Sequence, residues 1–285
     1  MGETTITATA GGKSASLTVS VYVNSLIDCG NEVGILQSVG DKGKIDSGLS
    51  GNLTYESDNE AVATVDSDGA ITAVGAGRAK ITIKSDNGSS AYWYVWVESL
   101  NNTELVSAIN ELEIGWTVES DGTVMLTKEN IDVMKTFTTV KLSGTAISSF
   151  NEIELFTIAK EFYGGITGNE ADLSRNTNLY AINLSGSELK ELVLGEYENL
   201  HTFVCIGTQI ESLDLSGYLN LKTLRCFDNK LTSLDLSGLT NLTALECGSQ
   251  KNGAILTLTL DESLKTKWTE TWSTQYYNQN VILAD

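Results

Sequence analysis

Cysteine returns every 21 residues late in the chain, at Cys205, Cys226 and Cys247, in a protein with only four cysteines. Thiols at fixed spacing could pair as disulfides, ligate a soft metal or act as nucleophiles. Other groups with chemical potential are few. His201 is the only histidine, Asp214 and Asp235 sit 21 residues apart, and Asp66-Ser67-Asp68-Gly69 is a short acidic run. A hydrolytic triad needs a base beside a nucleophile. His201 fills a periodic position taken elsewhere by Tyr180, Lys222 and Thr243, so it reads as a solvated side chain. Gly164-Gly165 and Gly75-Ala76-Gly77 are too short for a phosphate-cradling loop. A calcium loop would need more oxygen ligands after Asp68 and a closing glutamate, so Asp68-Gly69 reads as a hairpin turn. Asp214 and Asp235 should stack one period apart and repel, which suits a solvated face. No CxxC or Cys/His cluster supports a metal. The expectation is a non-enzyme with no cofactor and no metal.

The elements that position the cysteines are repeats. Asn178, Asn199, Asn220 and Asn241 are each followed by Leu and recur every 21 residues. Ile182, Phe203, Leu224 and Leu245 align beneath them, then Leu184, Cys205, Cys226 and Cys247, then Leu189, Ile210 and Leu231. A second block runs Leu192-Val193-Leu194, Leu213-Asp214-Leu215 and Leu234-Asp235-Leu236. The unit Leu221-x-x-Leu224-x-Cys226-x-x-Asn229-x-Leu231 resembles the bacterial leucine-rich repeat. Ser187, Thr208 and Gln250 replace the asparagine of Asn229 elsewhere, which predicts a weak asparagine ladder. The resemblance implies that the cysteines take core leucine positions and behave as small buried hydrophobes. Neighbouring strands lie ~4.8 Å apart with side chains parallel. A disulfide wants Cβ atoms ~3.5–4.5 Å apart and convergent. Free core thiols are therefore expected, with a disulfide or a metal site as the alternatives. Cys29 is distant and expected to be unpaired.

Residues 99–177 read as the solenoid's opening cap and degenerate repeats, 178–260 as the regular repeats and 261–285 as the C-terminal cap. The spacing predicts helices over Thr103 to Leu112 and Asn130 to Lys135, and a hairpin over Trp116 to Leu126 turning at Asp121-Gly122. Val140, Leu142 and Ile147 look like a degenerate repeat, followed by an irregular one through Phe162. Leu264, Trp268 and Trp272 recur at helical spacing and should cover the last repeat, a sugar-stacking role for the tryptophans being the alternative.

Residues 24–98 alternate apolar and polar residues around turn glycines, as a β-domain does. Tyr55-x-Ser57-x-Asn59-x-x-Val62-Ala-Thr-Val65-Asp66-x-x-Gly69-x-Ile71, running into Ala79-Lys-Ile81-Thr-Ile83, resembles the bacterial group 2 immunoglobulin-like domain of surface proteins such as intimin and invasin. It departs from that pattern at Tyr55 and Glu60, where the family usually has Trp and Pro. Gly2-x-x-x-Ile6-Thr7 matches Gly77-x-x-x-Ile81-Thr82, and Leu17, Val19 and Val21 match Trp93, Val95 and Val97. Residues 1–23 thus read as the last hairpin of a preceding copy, the alternative being a hairpin that belongs to the domain after it. On this match Trp93, Val95 and Val97 face the core. Tyr92, Tyr94 and Trp96 then face outward, either packed against another part of the chain or forming an aromatic platform for sugar or protein.

The formal net charge is −19, with 18 basic and 37 acidic residues, and both halves are acidic. Nucleic acid and anionic membrane need clustered Lys and Arg, so both are poor partners. No apolar run approaches the ~18 residues of a membrane span, and no signal peptide is visible. Proline is absent, so turns fall to 26 glycines. The fold class expected is mainly β: an immunoglobulin-like sandwich plus a leucine-rich repeat solenoid with short helices at its caps.

The joined resemblances are similar to internalin- and intimin-like bacterial surface adhesins. They imply a secreted or cell-surface monomer that binds an extracellular protein or glycan, with the first domain as spacer. The outward strand columns would be the binding surface: Asn183, Val204, Arg225 and Glu246, then Ser185, Ile206, Phe227 and Gly248. Val204, Ile206 and Phe227 beside Arg225 make an apolar patch of the kind that anchors interfaces. The alternatives are a carbohydrate-binding or scaffold part of a surface polysaccharide-degrading system, which an exposed aromatic platform would favour, and a purely structural stalk.

Overall fold

The computed structural model describes residues 2–10, 13–21, 26–30, 33–100, 102–110, 115–142, 147–148 and 151–284. What the sequence predicts for residues 22–25, 111–114 and 143–146 falls outside them, as do the side chains of residues 2–21 and of Cys29. The chain forms two compact units, one of residues 1–99 with 125–127, the other of 100–124 with 128–285.

In the first unit β1 (Gly2–Ala10) and β2 (Lys13–Val21) form an antiparallel hairpin pairing Gly2 with Val21 and Ile6 with Leu17. Two antiparallel layers follow. β3 (Ile27–Gly30), β4 (Val33–Leu36), β6 (Leu53–Ser57), β9 (Gly77–Ser85) and β10 (Ser90–Val97) make one, in the order β3-β4-β10-β9-β6, with only the β4–β10 pairing parallel. β5 (Lys42–Lys44), β7 (Ala63–Val65) and β8 (Ala70–Ala73) make the other, ordered β5-β8-β7. Gly77 pairs with Val97 and Ile81 with Trp93, the register of the β1–β2 hairpin repeated. Ile81, Ile83, Trp93, Val95 and Val97 join Leu36, Val62 and Ile71 in the core. The Asp66 carboxylate accepts the amides of Asp68 at 2.9 Å and Ala70 at 2.8 Å, so it organises the β7–β8 turn. Gly69 has φ +77, and a Cβ there would lie 2.7 Å from the Tyr55 ring. That close approach explains why the turn needs glycine.

The second unit starts with α1 (Thr103–Asn110), capped where Asn102 Oδ1 accepts the Leu105 amide at 3.0 Å. It buries Leu105, Val106 and Ile109. α2 (Lys128–Met134) begins two residues before the predicted start and buries Ile131 and Met134. The hairpin predicted over Trp116 to Leu126 is only a tight turn, with Gly122 N–H donating to Glu119 O at 3.0 Å. Before it, the Thr117 amide bonds the Asn130 side chain rather than a partner strand.

Six parallel strands then pair in chain order: Thr139–Lys141, Glu161–Tyr163, Ala181–Asn183, Thr202–Val204, Thr223–Arg225 and Ala244–Glu246. The register aligns Val140, Phe162, Ile182, Phe203, Leu224 and Leu245, all fully buried. Leu184, Cys205, Cys226 and Cys247 follow in the next inward column, also fully buried. The three cysteines are free. The second block is paired at its two ends, Glu170–Asp172 with Glu191–Val193, and Ser233–Asp235 with Leu256–Thr259, which in turn pairs with Val281–Leu283. Its middle segment, Leu213 to Leu215, is not a strand.

The polar ladder differs from the weak one predicted, because the substitutes make the asparagine's bonds. Asn229 Nδ2 donates to Cys205 O at 2.7 Å and Cys226 O at 3.1 Å. Gln250 Nε2 donates to Cys226 O at 3.1 Å and Cys247 O at 2.7 Å. Thr208 Oγ1 donates to Asn229 Oδ1, and the Ser187 hydroxyl accepts the Ile166 amide. The Asn-Leu pairs have a role that spacing alone did not show. Asn178, Asn220 and Asn241 each donate Nδ2 to a carbonyl 21 or 22 residues earlier, tying each coil to its predecessor.

At the end, α3 (Glu262–Lys267) and a wider turn over Trp268–Trp272 bury Leu264, Trp268 and Trp272 over the last coil. Asn278 then takes the ladder role toward the coil before it. Its Oδ1 accepts the Cys247 amide at 2.7 Å and its Nδ2 donates to Leu245 O at 2.8 Å and Trp272 O at 2.9 Å.

Candidate binding face

The register puts two outward columns beside the buried one. Thr139, Glu161, Ala181, Thr202, Thr223 and Ala244 form the first; Lys141, Tyr163, Asn183, Val204, Arg225 and Glu246 form the second. Asn183, Val204, Arg225 and Glu246 therefore stand side by side. Arg225 Nε lies 3.5 Å from Glu246 Oε2, with the arginine side chain 46% exposed. Pairing in such an exposed setting stabilises little but fixes the direction of the guanidinium. Asn183 Oδ1 accepts the Ser185 amide at 3.0 Å, so part of its polarity is used in its own turn. Val204 is 9% exposed, and Ile206 and Phe227 are half-buried.

Phe227 stacks on Tyr277, centroids 4.1 Å apart and planes 17° apart. Tyr277 meets Tyr276 edge-on at 5.1 Å and 85°. Tyr276 is 73% exposed and Tyr277 40%. Periodicity missed both tyrosines, because they lie outside the 21-residue period. The remaining signal was an adjacent aromatic pair in a polar stretch. Gly248, the last member of the second predicted column, is buried because this segment crosses it. Its amide donates to Tyr277 O at 2.8 Å, and a Cβ there would lie 2.5 Å from Asn278 C.

At the other end of the face, Glu161 accepts from Tyr180 Oη and, at 3.3 Å, from Thr139 Oγ1. The bond to Glu161 is the main cause raising the Tyr180 phenol, with burial second; burial comes first for Tyr163. An open groove of about 690 Å³ runs beside it, lined by Lys160, Asn178, Tyr180, Glu196, Asn199 and His201 among others. His201 packs its ring 6.4 Å from that of Tyr180.

In the first unit the row Tyr92, Tyr94 and Trp96 lies on the face opposite the core, as its alternation predicts. Tyr94 and Trp96 are only 5% and 3% exposed, so the row is no open platform. They lie in register with buried Val33 and Ile35. The Arg78 guanidinium sits 3.6 Å over the Tyr94 ring and Lys80 Nζ 4.0 Å over Tyr92, cation–π contacts that occupy the rings.

The carboxylates of the second block are turn-formers. Asp214 Oδ1 accepts the Ser216 amide and Asp235 Oδ1 the Ser237 amide. The serine bonds hold both carboxyls below their ordinary range, and Asp214's repulsion is the smallest influence on Asp235. Among the described residues no group of three or more His, Cys, Asp or Glu could hold a metal ion, and no helix is long and apolar enough to cross a membrane.

Residues 39–95 match the family model described as Bacterial Ig-like domain (group 2). No curated protein matches the chain. One similar solved structure is described as the functional domain of InlJ from Listeria monocytogenes, including a cysteine ladder. Identity is 26% and the TM-score 0.43, over 56% of this chain and 34% of that one, so the match spans about a third of that chain's length.

Proposed function

We propose that the second unit is a leucine-rich repeat solenoid, and that the protein is a secreted or cell-surface bacterial binding protein and not an enzyme. The first unit serves as spacer and the parallel sheet as the binding face for an extracellular protein. The solenoid reading is supported by the 21-residue register of the strands, by the buried thiol column and by the side-chain ladder that closes each turn. The surface reading is supported by the Ig-like match over residues 39–95.

One observation carries the binding assignment: Ile206 and Phe227 are only partly buried beside the guanidinium of Arg225, on a face that a pure stalk would make polar. Aromatic and arginine anchors of this kind are worth ~2 kcal/mol or more at interfaces. Affinity capture of surface proteins, followed by titration of the captured protein, tests this. The double change Phe227→Ala with Arg225→Ala should weaken binding at least about tenfold, or ~1.4 kcal/mol. Because Phe227 also stacks on Tyr277, the change should lower Tm by a few degrees, from a loss of ~0.5–1.5 kcal/mol. Undiminished binding would move the site off the sheet.

A further inference from the structure

We infer that the C-terminal end of the sheet carries a binding site for one ring of a neutral carbohydrate, with Tyr277 as its floor and Tyr276 as its wall. The two rings stand 85° apart with centroids at 5.1 Å and so form a corner. One face of Tyr277 is used up on Phe227, and the residue is still 40% exposed. Tyr276, at 73%, is the most exposed large hydrophobic among the described residues. Exposed paired aromatics on a rigid support call for a reason.

The support is rigid. Tyr277 O accepts the Gly248 amide, Asn278 is buried with its amide group bonded to Leu245 O and Trp272 O, and the Ser249 amide bonds Gln279 O at 2.7 Å. A preformed corner loses little conformational entropy when it is filled.

Charge selects the class of ligand. The chain carries −19, which disfavours sulfated or acidic glycans. The two outward columns are nevertheless balanced, with Lys141 and Arg225 against Glu161 and Glu246, so the face offers a cation no net attraction. A neutral ligand meets neither penalty. The aromatic face is the negative pole of the ring quadrupole and takes the slightly positive C–H hydrogens of a pyranose. The sugar's hydroxyl rim stays wet or reaches Arg225, two residues from Phe227 on the same strand face. Size separates sugar from protein, because the corner is about one ring wide while a protein interface needs ~800 Å² per partner. The site goes beyond the protein-docking reading and shares only Phe227 and, at its rim, Arg225 with it.

The test titrates short neutral oligosaccharides of glucose, galactose, mannose and N-acetylglucosamine into the full chain, followed by tyrosine ring-proton shifts. At least one should bind saturably. Tyr276→Ala should weaken it at least about tenfold, and Tyr277→Leu, which keeps an apolar contact with Phe227, should do the same. Tyr276→Trp should preserve it. Thermal melts confirm that the variants are folded, and Tyr276 is exposed enough for its change to be silent there. Saturable binding by none of the sugars overturns the proposal, as does binding unchanged in both variants. Preference for a sulfated glycan overturns the neutral class. A captured protein whose binding falls with Tyr276→Ala, with no sugar bound, reassigns the corner to protein docking.

Discussion

The thiol column should make the protein unstable in mild alkali. Burial raises the Cys205 thiol to about 12, against a weak opposing bond from Asn229. Cys226 and Cys247 move the same way, burial being the main cause for each and the flanking thiols adding to it for Cys226. The folded chain therefore keeps protons that the unfolded chain, with thiols near pKa ~8.5, gives up. Stability is intact below ~8.5 and falls as pH rises toward the folded values. One unit above the unfolded pKa, each thiol has removed RT ln 11, about 1.4 kcal/mol, and three together about 4 kcal/mol. Urea unfolding at pH ~7.5 and ~9.5, in reductant, measures this through midpoint and slope. Cys226→Ala leaves a small cavity and starts less stable, so the readout is the change with pH and not the absolute value. Between those two pH values the variant should lose about 1.4 kcal/mol less than the wild type. Cys29 contributes equally to both proteins and cancels. Tyr218, raised to about 12 mainly by burial, enters only above pH ~10 and cancels too. Equal losses in variant and wild type would refute a buried, protonated thiol at position 226.

Three further outcomes follow from the same packing. Native protein should leave Cys205, Cys226 and Cys247 unmodified by a thiol reagent at neutral pH, and unfolded protein without reductant should label at all four cysteines; uptake of two equivalents would mean a disulfide. Asn229→Ala should cost ~1–3 kcal/mol by stranding buried carbonyls of two coils, whereas Asn220→Ala, with one exposed bond, should cost under ~1 kcal/mol; equal values would contradict the ladder. Gly248→Ala should displace the 276–280 segment, costing ~1–3 kcal/mol and opening the bond after Tyr276 or Tyr277 to a chymotrypsin-type protease, and a variant as resistant as wild type would show that the strand can shift to admit a methyl.

What the sequence showed was whatever repeats. Period 21 located the strands from Ala181 to Glu246, the inward Phe203 and Cys205 columns and the neighbours Val204, Arg225 and Glu246, because each coil buries the same positions against its neighbours. The Gly2–Val21 register was legible for the same reason, since an internal copy exists at Gly77–Val97. Single occurrences were not legible. The Thr117–Asn130 bond that replaces a hairpin recurs at no fixed period, and neither do the Arg78 and Lys80 contacts that occupy the aromatic row. The ladder was underestimated for a different reason. Thr208 and Gln250 do not look like asparagine, yet they place a hydroxyl or amide where the buried carbonyls need one.

The tyrosine corner belongs to these single events, and its location follows from how a stack of coils must end. Each coil leaves backbone amides and an apolar edge for the next coil to cover. The last one here is closed by Trp268, Trp272 and Asn278, with the Cys247 amide taken by Asn278 and the Gly248 amide by Tyr277 O. A chain crossing the sheet edge in that way must pass beside Phe227, so its aromatic side chains stand over the end of the outward columns. Covering the edge therefore builds a surface that no repeat carries. If the corner binds ligand, removing the cap should abolish binding and lower stability together, whereas Tyr276→Ala should separate the two, losing ligand at least about tenfold with an unchanged melt.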